Sequence, residues 1–184
     1  MNASDAELLL QALKGREEAF VELYQRRQGA IYRFALQMTG SVGVAEDVTQ
    51  ETFLTLLTRG SKYDELRGSV AAFLYGIARN VVMRRLEREL WVEPSDEIED
   101  VADGSDVLED LTRRESVERV RCAVLSLPPV YREVVALCDL QESSYEEAAQ
   151  ALDCPVGTVR SRLNRARGML ARKLRVTDTA RCMR

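Results

Sequence analysis

The chain has 184 residues and a formal net charge of -4, with 46% hydrophobic and 30% charged residues, which are proportions typical of a globular protein in water. No apolar run approaches the roughly 18 residues that a membrane span needs, and the N-terminus lacks a secretory signal pattern, so we expect a cytoplasmic protein without membrane insertion. The chain has no His and its four Cys are widely spaced, so we expect no metal, no cofactor and no enzyme active site.

The charge is distributed unevenly along the chain. Residues 1–89 carry 12 basic and 12 acidic groups, residues 90–112 carry 0 and 9, and residues 113–184 carry 14 and 9. An acidic segment with little apolar periodicity cannot bury a core, so residues 91–112 are predicted to be a flexible linker. Composition leaves open whether the linker is a passive spacer or occupies a channel with basic walls. The cationic last third can meet a phosphate backbone.

Four helices are predicted in residues 1–90, because apolar residues recur at three- and four-residue spacing and strand alternation is nearly absent. Ser4 and Glu7 predict a capping box for the first helix, and Gly40 and Gly60 are expected to end the second and third. The predicted helices cover about 4–14, 17–38, 44–58 and 69–90, with a loop over 61–68.

The third predicted helix has one apolar and one polar face. A helical wheel places on the buried side Ala45, Val48, Phe53, Leu56 and Leu57. An arc of roughly 100° on the other side, here called the polar arc, contains Asp47, Gln50, Glu51 and Leu54. Spacing alone favours an ordinary solvated face for this arc.

The last third predicts two helices, over about 111–126 and 130–140, followed by a helix-turn-helix. The hydroxyl of Ser143 or Ser144 can cap a helix with an acidic first turn that ends at Asp153, a residue that tolerates a left-handed turn. Pro155 suits the start of the next helix. An ordinary helical hairpin with a solvated basic face is the alternative interpretation.

The second helix of this motif carries cations and no acid between Cys154 and Thr177. Its apolar stripe is predicted to contain Val159, Leu163, Ala166 and Leu170. On the outward side, Ser161, Asn164 and Arg165 are placed to reach base edges in a DNA groove. Arg160 and Arg167 are better placed for phosphates, although Arg160 is close enough to the outward arc to do either.

Three stretches, residues 45–54, 73–80 and 157–167, closely resemble signatures of the extracytoplasmic-function (ECF) sigma factors, the smallest group of the sigma-70 family. The likeness covers nearly the whole chain in the family's order. It implies an all-α fold with two helical domains, sigma region 2 in residues 1–90 and the region 4 helix-turn-helix in residues 113–175, followed by a tail, 176–184. It also implies a transcription initiation factor with no catalysis of its own.

The resemblance implies partners for both domains. In the family, region 2 binds the β′ clamp helices of core RNA polymerase and region 4 binds the β flap tip, while promoter DNA contacts both. Asp47, Gln50 and Glu51 match the segment that meets the clamp helices, and Phe53 matches a position that supports it from inside. Family members are commonly inhibited by an anti-sigma factor, so a partner of that kind is also expected.

The resemblance further implies a minus-ten site that holds a flipped-out base of the non-template strand. Such a base needs hydrogen-bonding groups and apolar walls, and its neighbours need cations along the backbone. Phe73 stands where the family commonly has Trp, so it can either stack on a base or belong to the core. The residues expected at this site are Tyr63, Arg67, Ser69, Phe73, Arg79, Asn80, Arg84 and Arg85, with Arg88 as a further cation.

Two other functional classes remain open from the residues alone. A stand-alone helix-turn-helix regulator would bind duplex DNA without polymerase, usually as a dimer with a sensor domain. Residues 1–89 show neither a coiled-coil heptad run nor a sensor pattern, which favours the sigma interpretation. A helical adaptor that only sequesters other proteins is the third possibility.

Overall fold

Eight α-helices make up most of the described chain. The computed structural model describes the backbone of residues 3–89 and 109–182, and the side chains of residues 3–88 and 115–175. No strand occurs within those backbone ranges, in agreement with the all-α prediction. The helices are α1 (Asp5–Leu13), α2 (Glu17–Thr39), α3 (Val42–Arg59), α4 (Val70–Glu89), α5 (Glu109–Leu125), α6 (Pro129–Val135), α7 (Tyr145–Ala151) and α8 (Val156–Cys182).

The residues predicted to begin and end the first helices lie at helix ends in the structure. Ser4 and Glu7 form a capping box, in which the Glu7 N–H donates to Ser4 Oγ at 3.2 Å and the Ser4 N–H donates to Glu7 Oε2 at 2.7 Å. Gly40 ends α2 in the left-handed region at φ 76°, with its N–H bonded to the Leu36 carbonyl. α3 ends at Arg59, directly before Gly60, and short 3₁₀ turns then lead to α4.

Helices α1 to α4 form the N-terminal unit, residues 3–89. Its fully buried side chains come from α1, α2, α3 and α4 and include Leu9, Leu23, Phe34, Met38, Leu56 and Leu74. One expectation for α3 is wrong, because Leu57 is 43% exposed.

Threonines take the place expected for Leu57 on the buried side of α3. Thr49 and Thr52 are buried, and their hydroxyls donate to the carbonyls of Ala45 and Val48, each at 2.7 Å. A hydroxyl satisfied by its own helix can enter a core at little cost. The apolar face of α3 is therefore rotated away from Leu57.

The ends of the C-terminal unit, residues 109–182, differ from the sequence expectation. Positions 91–108 of the predicted linker lie outside the described residues, and α5 begins at Glu109, so the last positions of 91–112 are helical. Acidic residues at 109 and 110 suit the positive end of a helix dipole. α8 continues to Cys182 through most of the segment predicted as a tail, because no proline interrupts it.

The helix-turn-helix consists of α7 and α8. Ser144 and Glu147 form a second capping box at the start of α7, and Asp153 adopts φ 49° in the turn, as predicted for a residue that tolerates this conformation. The stripe residues Val159, Leu163 and Ala166 of α8 are buried. The exposed side of α8 is therefore the face predicted to carry the DNA contacts.

The two units pack directly against each other. α4 lies so close to α7 that a Cβ added at Gly76 would be 3.3 Å from the Ala151 carbonyl oxygen. At the end of α2, Arg121 donates from Nη2 to the Gly40 carbonyl at 2.8 Å, and Arg132 donates to the carbonyl of Met38. Cations at a helix C-terminus are favourable because its carbonyls carry partial negative charge.

Candidate polymerase and promoter interface

The polar arc of α3 is exposed and forms ion pairs with α4. Arg85 Nη1 lies 3.1 Å from Asp47 Oδ2, and its Nη2 lies 3.4 Å from Glu51 Oε2. Arg84 Nη2 lies 2.9 Å from Glu51 Oε1. Two arginines expected at the minus-ten site therefore share one surface with two carboxylates expected to contact polymerase.

These ion pairs can exchange partners at low cost. The side chains of Asp47 and Arg84 are 61% and 59% exposed, and pairs between such groups contribute only about 0–1 kcal/mol. Gln50 is exposed, and the neighbouring Leu54 is 64% exposed. The arc thus combines replaceable charges with an uncovered apolar contact.

Phe53 lies on the inner side of the same helix. It is 2% exposed, its ring centroid lies 4.7 Å from that of Tyr24, and a second edge contact joins it to Phe20 at 6.3 Å. The side chain cannot reach a partner from this position. It packs α3 against α2 and so holds the polar arc in place.

Most of the predicted minus-ten residues line one pocket beside the start of α4. The six that meet there are Tyr63, Arg67, Ser69, Phe73, Arg79 and Asn80. Arg84 and Arg85 do not line this pocket and lie on the α3–α4 surface described above. Arg84 is still adjacent to the group, because it lines a neighbouring pocket together with Phe73 and Asn80.

Tyr63 and Phe73 form the aromatic side of the pocket. Their ring centroids are 5.7 Å apart at 57°, and the Tyr63 hydroxyl donates to the Gly68 carbonyl at 3.1 Å. Burial, with a smaller effect from nearby carboxylates such as Glu65, raises the pKa of Tyr63, so the phenol remains a donor. Ser69 accepts the Ala72 N–H at 3.2 Å, which places it as a cap of α4.

The pocket has a wall that the sequence did not predict. Gln150, Ala151 and Asp153, from α7 and the turn after it, line the pocket together with the residues of the N-terminal unit. Asn80 is exposed at the rim. The pocket is therefore built across the contact between the two units.

Arg79 is engaged in an ion pair with a residue that sequence analysis missed. Its Nε donates to Glu133 Oε2 at 2.7 Å, and Arg162 Nη1 lies 3.3 Å from Glu133 Oε1. Glu133 is fully buried in α6. The sequence contains one signal for this pairing, because Glu133 directly precedes the apolar run from Val134 to Leu137. A carboxylate that is buried together with such a run requires a partner.

The outward face of α8 agrees with its predicted arrangement. Asn164 and Arg165 are exposed, and Ser161 donates from Oγ to the Thr158 carbonyl at 3.0 Å. The Arg160 guanidinium lies 5.5 Å above the centre of the Tyr145 ring. These side chains lie side by side on the surface of the helix-turn-helix.

Arg167 lies at the edge of this face and pairs with Asp139. Its Nε donates to Asp139 Oδ2 at 3.1 Å, a second bond joins Nη2 to Oδ1, and the carboxylate raises the pKa of Arg167. Asp139 is positioned by a π-helical turn over Ala136–Leu140. A phosphate would have to share or replace this carboxylate.

Within the described ranges, no group of three or more His, Cys, Asp or Glu side chains is arranged to hold a metal ion. The same part of the chain contains no helix with both the length and the apolar character that crossing a membrane demands.

An exposed arc on one helical unit and a helix-turn-helix on the next define a two-unit helical protein of the DNA-binding class. Two family models match it in the same order: Sigma-70 region 2 over residues 23–92 and Sigma-70, region 4 over residues 117–170. The chain belongs to the ECF sigma factors of the sigma-70 family. It is accordingly a transcription initiation factor and not an enzyme.

Individual relatives agree with this assignment over nearly the full length. The chain is 32% identical over 176 residues to the ECF RNA polymerase sigma factor SigM of Mycobacterium tuberculosis, covering 96% of this chain and 87% of that protein. Among solved structures, CnrH in complex with the cytosolic domain of CnrY matches at 26% identity and TM-score 0.71, covering 95% of this chain and 99% of that one. The sigma factor RpoE in complex with the anti-sigma factor NepR, from Bartonella quintana, matches at 27% identity and TM-score 0.65, covering 85% and 97%.

Proposed function

We propose that the chain binds core RNA polymerase in the cytoplasm and directs it to promoters by contacting two DNA elements. The observation that carries this proposal is the presence of both sigma regions in one chain, each with an exposed face of suitable chemistry. A function as a stand-alone regulator does not account for the N-terminal unit, whose match to region 2 extends over residues 23–92. A function as a sequestering adaptor does not account for the basic face of α8.

The partner of each proposed contact comes from the family resemblance, and the geometry of the residues supports it. Asp47, Gln50 and Glu51 match the segment that meets the β′ clamp helices in the family, and they lie on the outward side of α3 beside the exposed Leu54. Phe53 positions them from the core. The second unit contacts the β flap tip and the minus-thirty-five element.

The minus-ten contacts divide into base-binding and backbone-binding groups. Asn80 presents an amide at the pocket rim, where it can bond the edge of a flipped base, and Tyr63 and Phe73 supply the aromatic wall. The cations Arg67, Arg84 and Arg85 lie in or beside the pocket and suit the strand's phosphates. Ser69 acts indirectly by capping α4.

We also propose that an anti-sigma factor regulates the chain. Two solved structures similar to this chain contain a second protein: CnrH is in complex with the cytosolic domain of CnrY, and the sigma factor RpoE is in complex with the anti-sigma factor NepR. The likeness to RpoE, whose partner is an anti-sigma factor, covers 85% of this chain at 27% identity, which supports a partner of the same kind for this chain.

Replacing Asp47 and Gln50 together with Ala should weaken binding to core polymerase roughly tenfold, because both side chains project from α3 toward solvent. The fold should persist, since Arg85 keeps its pair with Glu51. The measurement is a titration of labelled protein with core polymerase, accompanied by circular dichroism.

The matched control is Glu18→Ala, which removes the same single charge from an exposed position on α2, outside the polar arc. Equal affinities for the double variant, the control and the parent would remove the arc from the polymerase interface. Loss of helical content in the double variant would show that the two side chains support the fold instead.

A further inference from the structure

We propose that a DNA strand crosses α8 at Gly168 and that Arg172, one helical turn further along, binds a phosphate of that strand. The inference rests on the proposed function, because it extends the minus-thirty-five contact of the same helix. Neither residue belongs to the contacts predicted from the sequence, which end at Arg167.

Gly168 lies in the interior of α8 without a packing reason for being glycine. It is exposed, and a Cβ added to it would meet no other described part of the protein within 4 Å. After proline, glycine is the least favourable residue in a helix interior, so it lowers the stability of α8 with no gain inside the protein. The advantage of glycine at such a position is that another molecule's backbone can approach closely.

Gly168 and Arg172 share the outward face of α8 with the predicted base contacts. At about 100° per residue, Gly168 lies roughly 60° around the helix from Arg165, and Arg172 lies roughly 20° from it. Ser161 falls between these directions, and all four residues are exposed. One row along the helix surface therefore continues from the predicted base contacts past Gly168 to Arg172.

The cations of α8 differ in whether the protein already engages them. Partners within the protein are Tyr145 for Arg160, Glu133 for Arg162 and Asp139 for Arg167. Lys173 and Arg175 also interact with other residues. Among the described cations of this helix, only Arg165 and Arg172 have neither an ion pair nor a side-chain hydrogen bond. The two unengaged guanidinium groups thus lie on the outward face, about 10.5 Å apart along the axis.

The length of α8 makes a crossing necessary. Its 27 residues span about 40 Å, whereas the major groove is about 12 Å wide. A helix that reaches base edges near Asn164 at the centre of the groove arrives at the groove's edge after about 6 Å, which is four residues further, at Gly168. The phosphate backbone forms that edge, and Arg172 lies about 6 Å beyond it. The sequence has no acid between Cys154 and Thr177 that would repel the strand.

The first test is Gly168→Leu in the full-length chain bound to a saturating amount of core polymerase. The midpoint of thermal unfolding of the free variant should be no lower than the parent's, because Leu favours a helix and has room here. Binding to a duplex promoter that the parent uses should weaken roughly tenfold, because the side chain holds the helix away from the strand. Unchanged DNA affinity would overturn the crossing at Gly168. Loss of polymerase binding with unchanged DNA affinity at saturation would also overturn it and assign this face to polymerase.

The second test is Arg172→Gln, combined with promoter duplexes in which one phosphate at a time is replaced by an uncharged methylphosphonate. For the parent, replacement of the contacted phosphate should weaken binding several-fold. For Arg172→Gln, the same replacement should have no further effect, and the salt dependence should fall by about one counterion. Arg16→Gln is the control, because it removes the same charge from an exposed position at the start of α2 and should keep the parent's response at every phosphate. If Arg172→Gln also keeps the parent's response at every phosphate, Arg172 does not bind the strand.

Failure of the proposed function gives a different result from failure of this inference. A parent chain that never supports promoter-dependent initiation with core polymerase would refute both. A parent that initiates, with Gly168→Leu and Arg172→Gln indistinguishable from it in DNA binding, would refute the strand crossing and leave the proposed function standing.

Discussion

Replacing Phe34 with Ala should lower the free energy of unfolding by about 3–5 kcal/mol, which is a large share of the stability of a domain this size. Phe34 is fully buried in α2, and its ring lies 5.5 Å from that of Tyr75 in α4, at 67°. Truncation would remove the ring's contacts and leave a cavity between the two helices. Chemical denaturation followed by circular dichroism measures the loss.

Leu10→Ala provides the comparison for this variant. Leu10 is 54% exposed on α1, so its truncation should cost less than about 1 kcal/mol. Similar losses for the two variants would contradict the packing of α2 against α4. That packing matters for function because α4 carries Phe73, Arg79 and Asn80.

The second large effect is expected at α8, where two kinds of DNA contact should respond differently to mutation. Replacing Asn164 or Arg165 with Ala should change which minus-thirty-five sequences are used. The binding free energy that distinguishes one base pair from another should change by about 1–3 kcal/mol at the contacted position. Both side chains are exposed on the outward face, opposite the buried stripe. Sequencing the transcripts from a library of randomised upstream elements gives the ranking of sites.

Arg167→Ala is the contrasting variant at the edge of the same helix. Its guanidinium pairs with Asp139 and can bind a DNA phosphate through its charge. Its removal should therefore weaken binding to all DNA sequences alike and lower the salt dependence of DNA binding by about one counterion. A site ranking identical to the parent's for the Asn164 and Arg165 variants would mean that this face does not read sequence. α8 would then anchor the phosphate backbone only.

Sequence predicted those parts of the fold that depend on residues within a few positions of each other. The Ser4–Glu7 box, the left-handed Gly40 and the left-handed Asp153 are set by local hydrogen bonds and backbone sterics. The buried stripe of α8 follows from helical periodicity, which is also local. The exposed arcs of α3 and α8 were predictable for the same reason.

The parts that sequence missed depend on tertiary contacts. Leu57 is exposed because two threonines that bond to their own helix occupy the inner side of α3. The pairing of Arg79 with Glu133 joins residues 54 positions apart, and no periodicity records it. Grouping of the minus-ten residues came from family resemblance, whereas the wall that α7 adds to their pocket required the structure.

The central claim is that the chain turns core RNA polymerase into a promoter-specific enzyme. The most direct measurement is transcription with purified core polymerase, the full-length chain and a DNA library with random upstream sequences. We predict initiation, above that of core polymerase alone, from a subset of templates that share two sequence elements at a fixed separation. Initiation no different from core alone, together with sequence-specific binding of the chain to duplex DNA without polymerase, would contradict the account and favour a stand-alone regulator.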